Sequence, residues 1–386
     1  MAEKPISTPL PADLPTNWQT GQTVSPTGTE VGLTQQHGYN YQAQQINNAQ
    51  TAINTINDAF ENVYGDGDTV PVADGGTGAK TPQEALVNLG AASNPNLLDN
   101  WYFVGGGSQQ GGGQFPINQR GQTSYTGGIY GFDRWQVTGG GQVQISDNGV
   151  IVTGISTYGG FQEYIENWGN FKGETVTLSF LISGGTAIGN GAYVDILTGE
   201  SEYAKNVTEA GVASLTVSLP QDITKLLCAL ITSSNSGYDL TVIAAKLELG
   251  PVQTLAHQDA EGNWVLNDPP PNFQQELAKC QRYQKRYFYL YTGIGSGFAQ
   301  SESQAVVLVN NVFMRDERPS ISFSGLGLVS SNHSGTNAIS VSNITPANAM
   351  GGMAVIVNTD GGLTKGESLI LQIRENDGFF MFDANL

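Results

Sequence analysis

Residues 175–184 read TVTLSFLISG, and Val176, Leu178, Phe180 and Ile182 fall at every second position between mostly polar partners. A period of two sends alternate side chains to opposite faces of an extended chain, so one face of this segment is buried and the other meets water. Leu215, Val217 and Leu219 alternate in the same way, and AYVDILTG (192–199), KLLCALIT (225–232) and DLTVIAAKLELG (239–250) add further strands. Glycine-rich turns separate them at intervals typical of a sandwich or jelly roll. The pattern predicts a mainly β protein with a jelly-roll-like β-domain over 95–258.

Toward the C-terminus, Pro269 to Pro271 mark a boundary, and residues 259–275 read as a linker. Beyond it come RYFYLY (286–291), QAVVLV (304–309), SISFSG (320–325), AISVS (338–342), MAVIV (353–357), SLILQI (368–373) and FFMF (379–382). They predict a second, smaller β-sandwich over 276–386, a tip domain. Tyr283, Tyr287, Tyr289 and Tyr291 alternate at its start and read as a packing stripe.

Toward the N-terminus the period changes. Ile46, Ala49, Ile53, Ile56, Phe60 and Val63 are spaced three, four, three, four and three, which is a heptad seam. Nearly everything between them is Asn, Gln, Ala or Thr, so a helix over 39–64 has too narrow an apolar stripe to be stable alone. Isoleucine at both core positions favours three strands, and these six residues are the expected trimer interface. Gln42 breaks the seam at its start, so the coiled coil is short. Residues 1–38, rich in Pro, Thr and Gly, form an arm, and 65–94 form a linker with a short helix around Gln83–Leu89.

Composition narrows the function. Charged residues are 13% of 386, and the formal charge is −18, which argues against nucleic acid because phosphate neutralisation needs clustered Lys and Arg. No apolar run approaches the length of a membrane span, so membrane insertion is not expected. MAEKPISTPLPADLP lacks a hydrophobic signal core, so the chain is expected to be made in the cytoplasm without a signal peptide. Cys228 and Cys280 read as free thiols in apolar cores.

LPTNWQTGQTVSPTGTEVGLTQQHGYNY (14–41), running into AINTINDAF (52–60), resembles the N-terminal regions of tail-fibre proteins from phages and prophages of Gram-positive bacteria. DGGTGAKTPQEALVNLGA (74–91) is similar to the GGTGA-type element of tail-fibre stalks. NLLDNWYF (96–103), INQRGQTSYTGGIYGFDRW (117–135) and AAKLELGPVQTLAHQ (244–258) look like the start, middle and end of a jelly-roll module of such fibres. LAKCQRYQKRYFYL (277–290), FMRDERPSISFSG (313–325) and FDANL (382–386) match the β-domain that follows it. The resemblance implies a homotrimeric fibre or receptor-binding protein of a phage or a phage-like contractile bacteriocin. Its arm would dock on a tail or baseplate protein, and its β-domains would face a host cell-surface polysaccharide or teichoic acid. The implied location is the virion or an extracellular phage-like particle. A single GGTGA element implies a short fibre.

Motifs for chemistry fail on spacing. A phosphate-binding loop needs glycine where GGTGAKT has Ala79 and Asp74. His37, His257 and His333 are scattered, and Ser296 is flanked by Ile294 and Phe298 rather than by the glycines of a nucleophile elbow. Carboxylates that a glycosidase would pair occur as Glu163 with Glu166, Asp195, or Glu200 with Glu202. No β-helix repeat accompanies them. The expectation is binding without catalysis, with a depolymerase or a purely architectural tail component as alternatives. No cofactor and no metal site are expected. Sugar recognition needs flat aromatic faces with planar amides and carboxylates. Trp101 and Trp135 read as core, whereas Tyr158, Trp168 and Tyr203 lie in polar, turn-like stretches and are the candidate glycan contacts. The polar stretches SSNHSGTN (330–337) and NTDGGLTKGES (358–368) read as loops of the tip.

Overall fold

The computed structural model describes residues 47–56, 76–78, 85, 94–107, 114–232, 237–259, 261–309, 314–316, 319–330, 338–347 and 353–385. The chain divides into two compact units, Met1–Leu89 and Gly90–Leu386. In the first, residues 47–56 are helical, as the heptad predicts. Ala49, Ile53 and Ile56 are exposed, Ile53 by 40% and Ile56 by 52%, so this stretch of the apolar stripe is uncovered in a single chain. Ile46, Phe60 and Val63 lie outside the described residues, as do the arm over 1–38 and all of the 65–94 linker except 76–78, 85 and 94.

The second unit is mainly β. Its first part contains β1 (Ser124–Thr126), β2 (Trp135–Ser146), β3 (Gly149–Tyr164), β4 (Thr175–Gly184), β5 (Ala192–Leu197), β6 (Glu202–Asn206), β7 (Gly211–Ser218), β8 (Leu227–Thr232) and β9 (Asp239–Leu249). They form one antiparallel sheet of order β6-β5-β8-β3-β9-β4-β7, with β2 on β3 and β1 on β2. The long β2–β3 ribbon makes this a sandwich. Its Trp135–Gly139 end pairs with 159–163 of β3, which then pairs with β8; its 141–146 end pairs with 149–154, which borders β9. The register shifts between Gly139 and Gly141, where the ribbon passes from one half-sheet to the other. Only glycine fits that corner, since a Cβ on Gly159 would lie 2.2 Å from the Gly141 nitrogen.

Both halves send side chains into one core. Val194, Ile196 and Leu230 come from one half, and Val176, Leu178, Phe180 and Val242 from the other. At its centre Trp135 packs on Phe161 at 4.6 Å and Phe103 at 5.4 Å, so Trp135 and Trp101 are core as expected. Cys228 and Cys280 are buried free thiols.

The hairpin β10 (Ala256–Gln258) and β11 (Trp264–Leu266) follows, then helix α1 (Phe273–Gln281). The Asn272 side chain caps that helix by accepting from the Gln275 N–H at 3.2 Å. The remaining strands are β12 (Gln284–Tyr287), β13 (Gly293–Ala299), β14 (Gln304–Val309), β15 (Ser320–Ser324), β16 (Leu326–Val329), β17 (Ile339–Ala347), β18 (Met353–Thr359), β19 (Ser368–Ile373) and β20 (Phe379–Asp383). The expected second sandwich is instead a closed barrel of order β13-β14-β18-β17-β16-β19, beside a three-stranded β12-β20-β15 sheet. Closure follows because β19 pairs with β13 on one edge and β16 on the other. Gly297 lets β13 come that close to β14, since a Cβ there would sit 1.8 Å from the Val306 carbonyl oxygen. The tyrosine stripe is interrupted: β12 ends at Tyr287, and Tyr289 and Tyr291 stand exposed in the following turn.

The sandwich meets the α1–β12 segment and the three-stranded sheet through polar groups, some of them buried. The Arg134 guanidinium stacks 3.6 Å from the Tyr283 ring centre and pairs with Glu163 at 3.1 Å and Asp99 at 3.3 Å. Its Nη2 also donates to the Tyr164 carbonyl at 2.7 Å. Glu166 accepts from the Tyr283 hydroxyl at 2.6 Å and pairs with Arg282 and Arg315. Gln119 Nε2 bridges the Asp133 carboxylate and the Gln284 carbonyl, and Arg120 pairs with Asp383. Truncating Arg134 leaves the Glu163 carboxyl buried without its cation, so Arg134→Ala is expected to cost about 3–5 kcal/mol in urea unfolding, whereas Arg134→Met with Glu163→Leu costs far less.

Candidate functional site

The half-sheet β2-β3-β8-β5-β6 has one face in the core and one outside. Along β5, Val194 and Ile196 point inward, so Tyr193, Asp195 and Leu197 point out. Register then builds rows across five strands. One runs Gln136, Gln162, Ala229, Asp195, Ala204. Beside it lies Thr138, Gly160, Ile231, Tyr193, Asn206, and on its other side Tyr164, Leu227, Leu197, Glu202. The middle row is low at its two alanines and polar elsewhere.

Its hydrogen bonds are incomplete. Gln162 Nε2 donates to Gln136 Oε1 at 2.9 Å, leaving the other amide atom of each without a partner among the described residues. Asp195 is 4% exposed, and apart from the Glu202 carboxyl its Oδ1 has no partner among the described residues. Glu202 lies diagonally across from it, close enough for the two carboxyls to hydrogen-bond through a shared proton. Burial first, and the Glu202 carboxyl second, push Asp195 up to about 7. The face thus offers planar amides, carboxyl oxygens and the partly exposed Tyr193 ring, groups that bind sugar hydroxyls and C–H surfaces.

The barrel carries a different surface. A concavity of about 750 Å³ on its outside is lined by Ser296, Phe298, Leu308, Ser330, Ile370 and Arg374. Leu308 and Ile370 flank Ser296 on the two neighbouring strands, and Phe298 lies opposite Val306. Phe298, Leu308 and Ile370 are exposed. Apart from Gln372 and Arg374, this surface is apolar or hydroxylic.

Trp168 lies in a 3-10 turn after β3, partly buried against the sandwich core, with Lys172 Nζ 5.3 Å from its ring centre. Tyr203 is opposite Ile196 and packs against the same core. Tyr158 is within β3, but its side chain lies outside the described residues. No contact among the described residues joins Trp168 to Tyr203. Gln136, Gln162 and Tyr193 were not singled out by the sequence; the signal was Tyr193 and Asp195 alternating with Val194 and Ile196 in AYVDIL. Of the candidate carboxylates, Glu163 and Glu166 are engaged at the junction. Burial pushes Glu163 well up against the pull of Arg134. For Glu166, partial burial acts upward but is outweighed by the Tyr283 hydroxyl and by Arg282 and Arg315, which hold it low. Among the described residues no three His, Cys, Asp or Glu side chains are grouped to hold a metal ion, and no helix is long and apolar enough to cross a membrane.

No protein-family model and no curated protein matches the chain. Solved structures match loosely. The N-terminal CBM22-1-CBM22-2 tandem domain from Paenibacillus barcinonensis Xyn10C is 12% identical, covering 76% of this chain and 97% of that one at a TM-score of 0.25. A CBM4 structure is 15% identical over 35% of this chain and 93% of its own, at 0.23. The binding domain of botulinum neurotoxin DC in complex with SialylT is 11% identical over 66% and 94%, at 0.21. Likeness at these scores carries no argument about what this chain binds.

The Asp195 shift has a consequence for stability. Its folded value of about 7 stands above the ordinary 3.8, so the folded chain keeps a proton that the unfolded chain releases. Stability therefore falls as pH rises through that interval, and the loss is complete above about 7. Asp195→Asn is expected to raise Tm near pH 8 (about 2–4 °C for each kcal/mol recovered in a domain of this size) and to change little near pH 4. Calorimetry at the two pH values checks the difference.

Proposed function

We propose that the chain is the subunit of a homotrimeric tail fibre or receptor-binding protein, which attaches a phage or phage-like contractile bacteriocin particle to a host cell-surface glycan without chemistry. The observation that carries the glycan reading is the row Gln136, Gln162, Ala229, Asp195, Ala204 on the outer sandwich face, with its unfilled amide and carboxyl positions. Three such faces on one trimer, and several trimers per particle, raise avidity without a deep pocket. Self-association is supported by the exposed heptad residues Ile53 and Ile56. The sequence blocks, in the family's order, support the arm over 1–38 as the attachment to tail or baseplate and the particle as the location.

Binding is favoured over hydrolysis because Asp195 and Glu202 are in contact, whereas the carboxyls of a glycosidase stand about 5–9 Å apart to flank the bond they break. Pull-down of wall polysaccharide from candidate hosts is expected to succeed, and to weaken at least tenfold in Gln136→Ala with Gln162→Ala. Reducing ends released from that polysaccharide would instead establish a depolymerase. Proper assembly without any binding to host cells would leave an architectural component. Ile53→Asp with Ile56→Asp is expected to convert the trimer to monomer in sedimentation, since buried carboxylates would meet at the axis without partners. An unchanged trimer would mean that the β-domains hold it together.

A further inference from the structure

We infer that the outer face of the β2-β3-β8-β5-β6 half-sheet takes an uncharged glycan; this rests on the glycan-binding reading and names the class of glycan. Shape is the first ground. The methyl groups of Ala229 and Ala204 hold the middle row low, while Tyr193 and Ile231 stand on one side and Leu227 and Leu197 on the other. A low row between taller ones is a trough running perpendicular to the strands. On β2 and β3 the row is Gln136 and Gln162 beside Thr138 and Gly160, so the low stretch spans only β8, β5 and β6, about 10 Å, which is room for a short run of sugar rings.

Polar groups along that trough fit hydroxyls. Gln136 and Gln162, bonded to each other, each keep one amide atom for a ligand at one end. Beyond Ala229, the buried Asp195 carboxyl hydrogen-bonds to that of Glu202, and Glu202, which is exposed, presents its carboxyl oxygens to a hydroxyl. Tyr193, partly exposed beside Asp195, offers an aromatic surface to ring C–H groups.

Charge selects the class. The three rows contain two carboxyl groups, Asp195 and Glu202, and no Lys or Arg. Lys205, the one cation on β6, is opposite Val194 and so alternates to the other side of the sheet. A polymer with phosphate or uronate in every repeat would set its anions against these carboxyls with no counter-charge, on a chain whose net charge is −18. Teichoic acid is therefore the poorer ligand, and a neutral glycan the better one.

The test uses the full chain and a panel of bacterial wall polysaccharides separated by anion exchange into neutral and anionic fractions, with affinities measured at low salt. Neutral fractions are expected to bind at least tenfold tighter than anionic ones. Gln136→Ala with Gln162→Ala, and separately Tyr193→Ala, should each lose at least tenfold, with near-ultraviolet circular dichroism confirming that the variants are folded. Asp195→Asn with Glu202→Gln should narrow the gap by strengthening the anionic fraction. Anionic fractions that bind as tightly as neutral ones, and are lost in the same Gln variant, would overturn the charge selection while leaving glycan binding at this face intact. Binding of neither fraction, or binding indifferent to Gln136, Gln162 and Tyr193, would overturn both.

Discussion

Four segments that are far apart along the chain are tied at one guanidinium. Arg134 reaches Asp99 before the first strand, Glu163 at the end of β3, the Tyr164 carbonyl, and the Tyr283 ring after α1. It does so from a backbone φ of 74°, a left-handed conformation that a non-glycine residue holds only where its surroundings over-determine it. A charge that is 2% exposed costs free energy unless it is paired and hydrogen-bonded, and Arg134 has both. Its fixed fork and flat face accept two carboxylates and an aromatic ring together, which lysine cannot do. The sandwich is therefore set against α1 and the β12-β20-β15 sheet by these specific contacts together with an apolar cluster of Phe115, Ile117, Phe273 and Cys280.

That junction explains which residues carry the family resemblance. NLLDNWYF supplies Asp99 and Asn100; INQRG supplies Gln119 and Arg120; FDRW supplies Asp133 and Arg134; LAKCQRY supplies Cys280, Arg282 and Tyr283; FDANL supplies Asp383. Nearly all of them bond across the contact between the two β-parts or beneath it. Asn100, for instance, donates its side-chain amide to the Ile117 and Asp133 carbonyls while its own N–H donates to Glu276 at 2.5 Å. These blocks are spent on the architecture. The outer face of β2-β3-β8-β5-β6 lies almost wholly outside those blocks, which reach it through Tyr130, the bridge partner of Gln136.

Much of the fold was legible because it is local. The alternation in TVTLSFLISG corresponds to β4, and the apolar runs around Cys228 and Val242 to β8 and β9. Trp135 follows a polar DR pair yet enters a strand on its inner face, as its neighbours imply. The candidate site was less legible. Gln136, Gln162 and Asp195 come onto one row only through the register of three strand pairs, and sequence does not state register. Tyr203 drew attention because SEYAKN is polar, but at the edge strand every second side chain still turns inward, and Tyr203 is one of those. Barrel closure was hidden for a similar reason: SLILQI looks like any strand, and nothing in it says that both of its edges are paired.

Closure of the β13-β14-β18-β17-β16-β19 ring also bears on how copies of this chain behave when crowded together. An open sheet ends in strands whose backbone N–H and C=O groups are free to recruit a neighbour's strand, and that is the usual start of aggregation. A ring has no such ends. At one end of the sandwich sheet, β6 is five residues long and carries Glu202 and Lys205, charges that discourage strand-to-strand annealing; at the other end β7 is eight residues long and uncharged. Molecules held side by side thus cannot fuse through the main chains of their barrels, and whatever contacts the barrels form are left to side chains.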